Sequence, residues 1–203
     1  MEALLAFAAA LLALRLAGDL AARFRARRAP QLAAWSASLL AYAIASAALA
    51  WGAAAGWDDR AFRVYYLAGG LLTAPMLGAG SLLLRGYRWA GPLAFAYAGL
   101  AIGIMVAVPL TASVSGTSIP EAQSHLDFIP ARLVAVLGNS LGTLAVVLVA
   151  MLTVRRRPLG NALLLAGVGV AAVGSAPTAQ SARCRSRTWR RYAPRSGGQS
   201  GIA

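Results

Sequence analysis

The sequence predicts an all-α protein, a polytopic transmembrane helix bundle of about six spans. Of its 203 residues, 59% are hydrophobic and 12% are charged, whereas soluble domains carry roughly 25% charged residues. The apolar residues also form long stretches without Asp, Glu, Lys or Arg, at 29–57, 64–84, 89–120, 133–154 and 158–182. A helix that crosses ~30 Å of hydrocarbon needs about 20 such residues. The chain therefore lacks the charges to cover a soluble surface and has the apolar length to span a bilayer.

Six helices are predicted in these stretches and in the apolar N-terminal run, at 3–22, 31–53, 63–84, 90–112, 131–154 and 158–175. Each should be helical because an unpaired backbone amide costs several kcal/mol in lipid. Short connections between the early helices predict antiparallel neighbours, and one long connection covers 113–130. Pro75, Pro92 and Pro109 lie in or near the apolar stretches, where prolines are expected to kink membrane helices.

The arginines predict the orientation of the bundle. Connections 23–30, 85–88 and 155–157 hold nine arginines and no acidic residue. The other set, which is the N-terminus with 54–63 and 113–132, holds three arginines and five of the six acidic residues. Cytoplasmic loops of bacterial membrane proteins carry the excess of basic residues. The first set is therefore predicted to be cytoplasmic, with the N-terminus outside the plasma membrane.

The two ends of the chain are predicted to differ in structure. The first apolar run is predicted to stay as a span, because Glu2 rather than a basic cluster precedes it and the arginines follow it. Residues 1–175 are predicted to form the bundle. Residues 176–203 form an arginine-rich tail with too little apolar surface to fold.

The tail conflicts with the predicted topology. If the sixth helix spans, the tail lies outside with six arginines and no acidic residue, against the rule that places basic residues inside. Two explanations stay open. Either the reading frame shifts near Ser175 and replaces a seventh helix, or the tail is a natural basic segment.

Five polar residues within the predicted helices are the candidate site residues: Arg15, Asp19, Thr73, Asn139 and Thr143. The first two lie four apart, so they share a helix face and can pair. Asn139 and Thr143 also share a face, beside two glycines whose spacing permits close helix approach. Such residues hold helices together by hydrogen bonds, or they line a polar cavity for an ion or solute.

The chain has few residues that are suited to catalysis or metal binding. The chain has one cysteine, Cys184, and one histidine, His125. Glu121, His125 and Asp127 lie in the long connection and are interpreted as a solvated loop, with an outward metal or proton-sensing site as the alternative. We therefore expect no catalytic residues, no metal and no cofactor. Most arginines lie between apolar stretches, which also argues against a nucleic-acid partner.

Three functions remain as hypotheses. The first is a non-enzymatic scaffold or accessory subunit whose partners are the lipid bilayer and other membrane subunits or a second copy of the chain. The alternative is a transporter or channel for a small solute or ion that uses the polar residues within the helices. A membrane enzyme is the least favoured, since the predicted spans contain one acidic residue, Asp19.

Two blocks resemble a group of uncharacterised multi-pass membrane proteins of actinobacteria. They are FRVYYLAGGLLTAPMLGAGSLLL at 62–84 and IPARLVAVLGNSLGTLAVVLVAML at 129–152. The resemblance rests on Tyr65, Tyr66, Gly69, Pro75, Gly78, Pro130, Arg132, Asn139, Gly142 and Thr143. All 19 basic residues are arginine, and the use of arginine without lysine is typical of GC-rich genes, such as those of many actinobacteria. The resemblance implies a membrane bundle that ends in a further apolar helix, and it implies no catalytic residue.

Overall fold

A computed structural model describes residues 1–110, 113–116, 119–120, 125–126, 128–153, 166–167 and 169. Residues Met1–Thr153 form one compact unit, and the helices and cavities described below all belong to it. The predicted helix at 158–175, apart from three of its residues, and the whole predicted tail at 176–203 lie outside the described residues. So do Glu121 and Asp127 of the long connection.

The described part of the chain is helical, as predicted, and it contains no strand. It holds five long helices: α1 Glu2–Arg27, α2 Pro30–Ala55, α3 Asp59–Leu84, α4 Ala90–Ala107 and α5 Leu133–Thr153. All five are long and apolar enough to cross a membrane. They correspond to the first five of the six predicted helices.

Helix α1 is longer than predicted. It ends at Arg27 rather than at residue 22, so most of the predicted 23–30 connection is helix. Arginine is a good helix former, and Arg25 and Arg27 occupy the last turn, where positive charge stabilises the helix dipole. Arg28 ends the helix in the left-handed conformation, and its N–H donates to the Phe24 carbonyl at 2.7 Å.

Two other ends also differ from the predictions. Helix α4 ends at Ala107 rather than at residue 112, because Val108 precedes Pro109 and is therefore pushed into an extended conformation. Helix α3 begins at Asp59 rather than at residue 63, because the Asp58 carboxylate caps it by accepting the Ala61 N–H at 2.7 Å.

Helix α1 packs mainly against α2. Its contact face is a stripe of buried alanines: Ala6, Ala10, Ala13 and Ala17. Alanines let two helices approach closely, and the Ser36 hydroxyl on α2 donates to the Ala17 carbonyl at 2.8 Å. Six of the seven leucines of α1 face away from the bundle and are exposed: Leu4, Leu5, Leu11, Leu12, Leu14 and Leu16.

Helix α3 is the centre of the bundle. It packs against α2 on one side and against α4 and α5 on the other. Its contacts with α2 are antiparallel, since Ala45 lies beside Gly69 while Trp35 lies beside Gly80. Helices α3 and α5 are parallel, because Asn139 bonds to Gly70 and Gly142 lies against Gly78.

The predicted outer end of the bundle is closed by an apolar cluster around Phe62. The Val114 N–H donates to the Asp59 carboxylate at 2.8 Å, and the Trp57 backbone N–H donates to the Gly116 carbonyl at 2.8 Å. These bonds hold part of the long connection onto the start of α3. The Arg63 guanidinium donates to the carbonyls of Met105 and Val108, so it caps the C-terminus of α4 from a neighbouring helix.

Candidate functional site: the π-helical segment of helix α3

The middle of α3 is wound as a π-helix over Tyr66–Leu72. The Thr73 N–H donates to the Ala68 carbonyl, five residues earlier, and the Thr73 hydroxyl donates to the same oxygen at 2.8 Å. Pro75 follows two residues later and has no N–H to donate. Short π-helical segments are rare and occur often at functional sites, which makes this segment the candidate site.

On the α5 side, a side chain satisfies the backbone of the π-helical segment. The register that pairs Thr73 with Ala68 would pair the Gly70 carbonyl with residue 75, which is proline. The Asn139 side-chain amide instead donates to the Gly70 carbonyl at 2.7 Å. A neighbouring helix thus supplies the donor that proline lacks, as membrane bundles commonly do.

Glycines make this contact possible. A Cβ at Gly142 would collide with the Ala74 carbonyl and lie 2.8 Å from the Pro75 nitrogen. A Cβ at Gly78 would lie 2.7 Å from the Gly142 Cα. Two backbones therefore touch directly just below the Asn139 bond. Gly138 is likewise covered by the Tyr97 ring, whose hydroxyl donates to the Val134 carbonyl at 3.3 Å.

On the α2 side, the π-helical segment borders a cavity of about 560 Å³. The wall is formed by both helices and by one residue of the long connection. Helix α2 contributes Tyr42, Ala45, Ser46 and Leu49, α3 contributes Phe62, Tyr65, Tyr66, Gly69, Gly70 and Thr73, and the connection contributes Pro120. The Ser38 hydroxyl donates to the carbonyl of Thr73, a residue of this wall, at 2.7 Å. None of the described residues in the wall is Asp, Glu, Arg or His. The described part of the wall is therefore uncharged and carries several hydroxyl groups.

Ser46 is the unusual group in this wall. Its side chain is buried, with 7% of the residue's surface exposed. Among the described residues, its hydroxyl has no hydrogen-bond partner. Serines in membrane helices normally bond to a carbonyl of their own or a neighbouring helix. The Ser46 hydroxyl is thus free to bond to a molecule in the cavity.

The structure brings together two of the five predicted site residues. Thr73 and Asn139 both bond to carbonyls of the π-helical segment. Thr143 lies one turn beyond Asn139 and is exposed. Arg15 and Asp19 are exposed on α1, where no ion pair joins them in the described part of the chain, and neither lines the cavity.

Three side chains that the structure makes notable were not singled out from the sequence: Ser38, Ser46 and Arg63. Ser38 and Ser46 lie in an apolar block where serine is common, so the sequence carries no signal that separates them. Arg63 was counted only among the outward arginines. Its signal would have been a lone arginine placed one turn inside the start of a span, where a free cation is costly.

Of the remaining candidates in the long connection, only His125 lies among the described residues. His125 is half-buried, and its ring lies 5.6 Å from the Phe62 ring. Within the described ranges, no group of three or more His, Cys, Asp or Glu side chains is placed to hold a metal ion. A second cavity of about 320 Å³ lies among α3, α4 and α5 and is lined by apolar side chains apart from Tyr97 and Trp89.

No family model, curated protein or solved structure matches this chain. The resemblance to actinobacterial membrane proteins therefore stays a prediction from the residues of the two quoted blocks.

Proposed function

We propose that the chain is an integral protein of the bacterial plasma membrane, related to the actinobacterial multi-pass proteins that it resembles, and that it acts without catalysis as a scaffold or accessory subunit. Five helices of membrane-spanning length and composition support the membrane location. The excess of arginine in the connections at one end supports an outward N-terminus.

The observation that carries this proposal is how the polar side chains between the helices are used. Ser36, Ser38, Tyr97 and Asn139 each donate to a main-chain carbonyl of a neighbouring helix. Groups used in this way join helices and are not available to pass a solute from one to the next. Hydrogen bonds of this kind keep the helices in a fixed arrangement, in which their outer faces can contact partner proteins.

Helix α4 presents one such face. Gly99 and Gly103 lie four residues apart, and a Cβ at either would meet nothing within 4 Å in the described structure. Glycines at this spacing permit close approach of another helix. The neighbouring Phe95, Ile102 and Val106 are also exposed. This face therefore supports contact with another membrane subunit or a second copy of the chain.

The test is chemical cross-linking in native membranes, followed by purification in mild detergent and identification of the chains that co-purify. We expect a membrane partner in constant ratio, reduced about fivefold or more by Gly99→Ile combined with Gly103→Ile, because both block close helix approach. Gly18→Ile is the matched control, since Gly18 is an open helix glycine without a glycine four residues away. A wild-type chain that always purifies alone would refute the proposal.

Transport is the second candidate, and the cavity beside the π-helical segment is the observation in its favour. Broken or distorted helices commonly border the solute sites of transporters. Solute flux in proteoliposomes tests it directly. A flux that depends on Thr73 and Asn139 would support transport through this region, whereas one unchanged by Asn139→Ala and Asp19→Asn would count against it.

A further inference from the structure

We propose that the cavity between α2 and the π-helical segment of α3 binds an uncharged, lipid-soluble molecule with a flat ring and a carbonyl acceptor, the chemistry of a quinone headgroup. The Ser46 hydroxyl is the donor to that carbonyl. This ligand site goes beyond the proposed accessory role and does not depend on it.

The first argument is the state of Ser46. The other serines in the described helices that are at least partly buried, Ser36, Ser38 and Ser81, all donate to a carbonyl oxygen. Ser46 is as buried as they are, faces the cavity and has no partner among the described residues. Among the described residues, the fully buried polar atom that lacks a partner is Trp57 Nε1, so the Ser46 oxygen itself is accessible from the cavity. A ligand acceptor there would give this hydroxyl a hydrogen bond that the described residues do not supply.

The second argument is charge. The described wall of the cavity contains no side chain that is charged at neutral pH, since tyrosine ionises near pH 10. An ionic ligand would therefore lose its hydration and meet no charged side chain in the described wall. A neutral ligand loses little, and hydroxyl donors match a carbonyl acceptor.

The third argument is shape. Aromatic rings stand on both helices, with Tyr42 on α2 and Phe62, Tyr65 and Tyr66 on α3. The Phe62 and Tyr66 rings are already stacked, with centroids 6.0 Å apart and planes 26° apart. A flat ring packs favourably against such surfaces. A volume of about 560 Å³ also lies within the range of small-molecule sites.

The experiment measures binding of menadione, a short naphthoquinone, to the full chain in lipid nanodiscs by equilibrium dialysis against empty nanodiscs. We expect saturable binding at one site per chain. Ser46→Ala should raise the Kd about fivefold, as expected for the loss of one neutral hydrogen bond. Ser46→Leu should weaken binding more than Ser46→Ala, because its side chain removes the donor and also occupies the place of the ligand carbonyl beside position 46. Ser81→Ala is the matched control, since Ser81 is a buried serine that does not line the cavity, and it should leave the Kd unchanged.

Two results would overturn the inference. One is menadione uptake no greater than that of empty nanodiscs. The other is an unchanged Kd in Ser46→Ala, which would mean that the hydroxyl does not meet the ligand. Because Ser46→Ala removes a hydroxyl that no described residue binds, the variant should fold, and its unfolding temperature checks this. A chain that binds menadione but has no protein partner would retain this site and refute the accessory role.

Discussion

The two sides of α3 use small residues to opposite effect. Towards α5, Gly78 and Gly142 meet at the same level, so the backbones touch and Asn139 reaches the Gly70 carbonyl. Towards α2, the π-helical segment faces Ser46 across a cavity, and the hydroxyl finds no partner among the described residues. Small residues therefore bring two backbones into contact only where the facing helix places its own small residue opposite. Elsewhere they leave space for another molecule.

The largest effect on stability is expected on the side of α3 that packs against α5. Gly142→Leu should lower the free energy of unfolding by about 3 kcal/mol or more, since its side chain would push against the Ala74–Pro75 backbone, which cannot move aside easily. Denaturant unfolding in detergent measures this. Gly99→Leu, on the open face of α4, should change stability by less than about 0.5 kcal/mol. Equal effects of the two variants would mean that α3 and α5 do not pack in this way.

Arg63 tests the contact between α3 and α4. Arg63→Ala should cost about 2 kcal/mol, because hydrogen bonds from a charged donor are stronger than neutral ones and two α4 carbonyls would lose them. The exposed Arg60 is the matched control, and Arg60→Ala should stay within about 0.5 kcal/mol. Thermal unfolding of both variants in detergent gives the comparison. A stability loss shared by both would point to charge alone rather than to the cap.

Asn139 tests whether the π-helical segment needs its donor. Asn139→Ala should cost about 1 kcal/mol, the usual size of a hydrogen bond between membrane helices, because it leaves the Gly70 carbonyl without the Asn139 donor. Thr143→Ala, one turn away at an exposed position, should have little effect. Denaturant titrations of the two variants measure the difference. No loss in Asn139→Ala would show that another group replaces the amide.

The smallest expected effects compare two serines of α2, Ser38 and Ser46. Ser38→Ala should cost about 1 kcal/mol, since it removes the bond to the Thr73 carbonyl. Ser46→Ala should cost nothing or stabilise the ligand-free protein slightly, because its hydroxyl has no partner among the described residues. Unfolding of both variants without added ligand gives the sign. A cost for Ser46→Ala equal to that of Ser38→Ala would mean that Ser46 already has a partner.

Sequence patterns predicted the presence and approximate position of the helices better than their ends. The apolar stretches placed five of the helices, because length and hydrophobicity are local properties. The ends of α1 and α4 were wrong, since arginines continued one helix and Val108 before Pro109 ended the other early. The spacing of Gly138 and Gly142 predicted a close approach. Which backbone approaches Gly142 depends on a residue more than sixty positions away and could not be predicted locally.

The candidate site was likewise predicted only in part. Pro75 predicted a kink in α3, and Asn139 was selected because it shares a helix face with Thr143 beside two closely spaced glycines. That Thr73 and Asn139 meet at one π-helical segment, while Arg15 and Asp19 remain exposed on α1, follows from how the helices pack. Helical periodicity places two residues on one face, but it does not say which helix covers that face.

The sequence by itself determined that this chain is a set of long apolar helices with arginine-rich connections at one end, because both properties are read from runs of neighbouring residues. Tertiary structure alone decided which backbones touch, which carbonyl Asn139 satisfies and that Ser46 faces an open cavity. Those outcomes depend on the match of small and large side chains between helices distant in sequence, and packing fixes that match only when the helices come together.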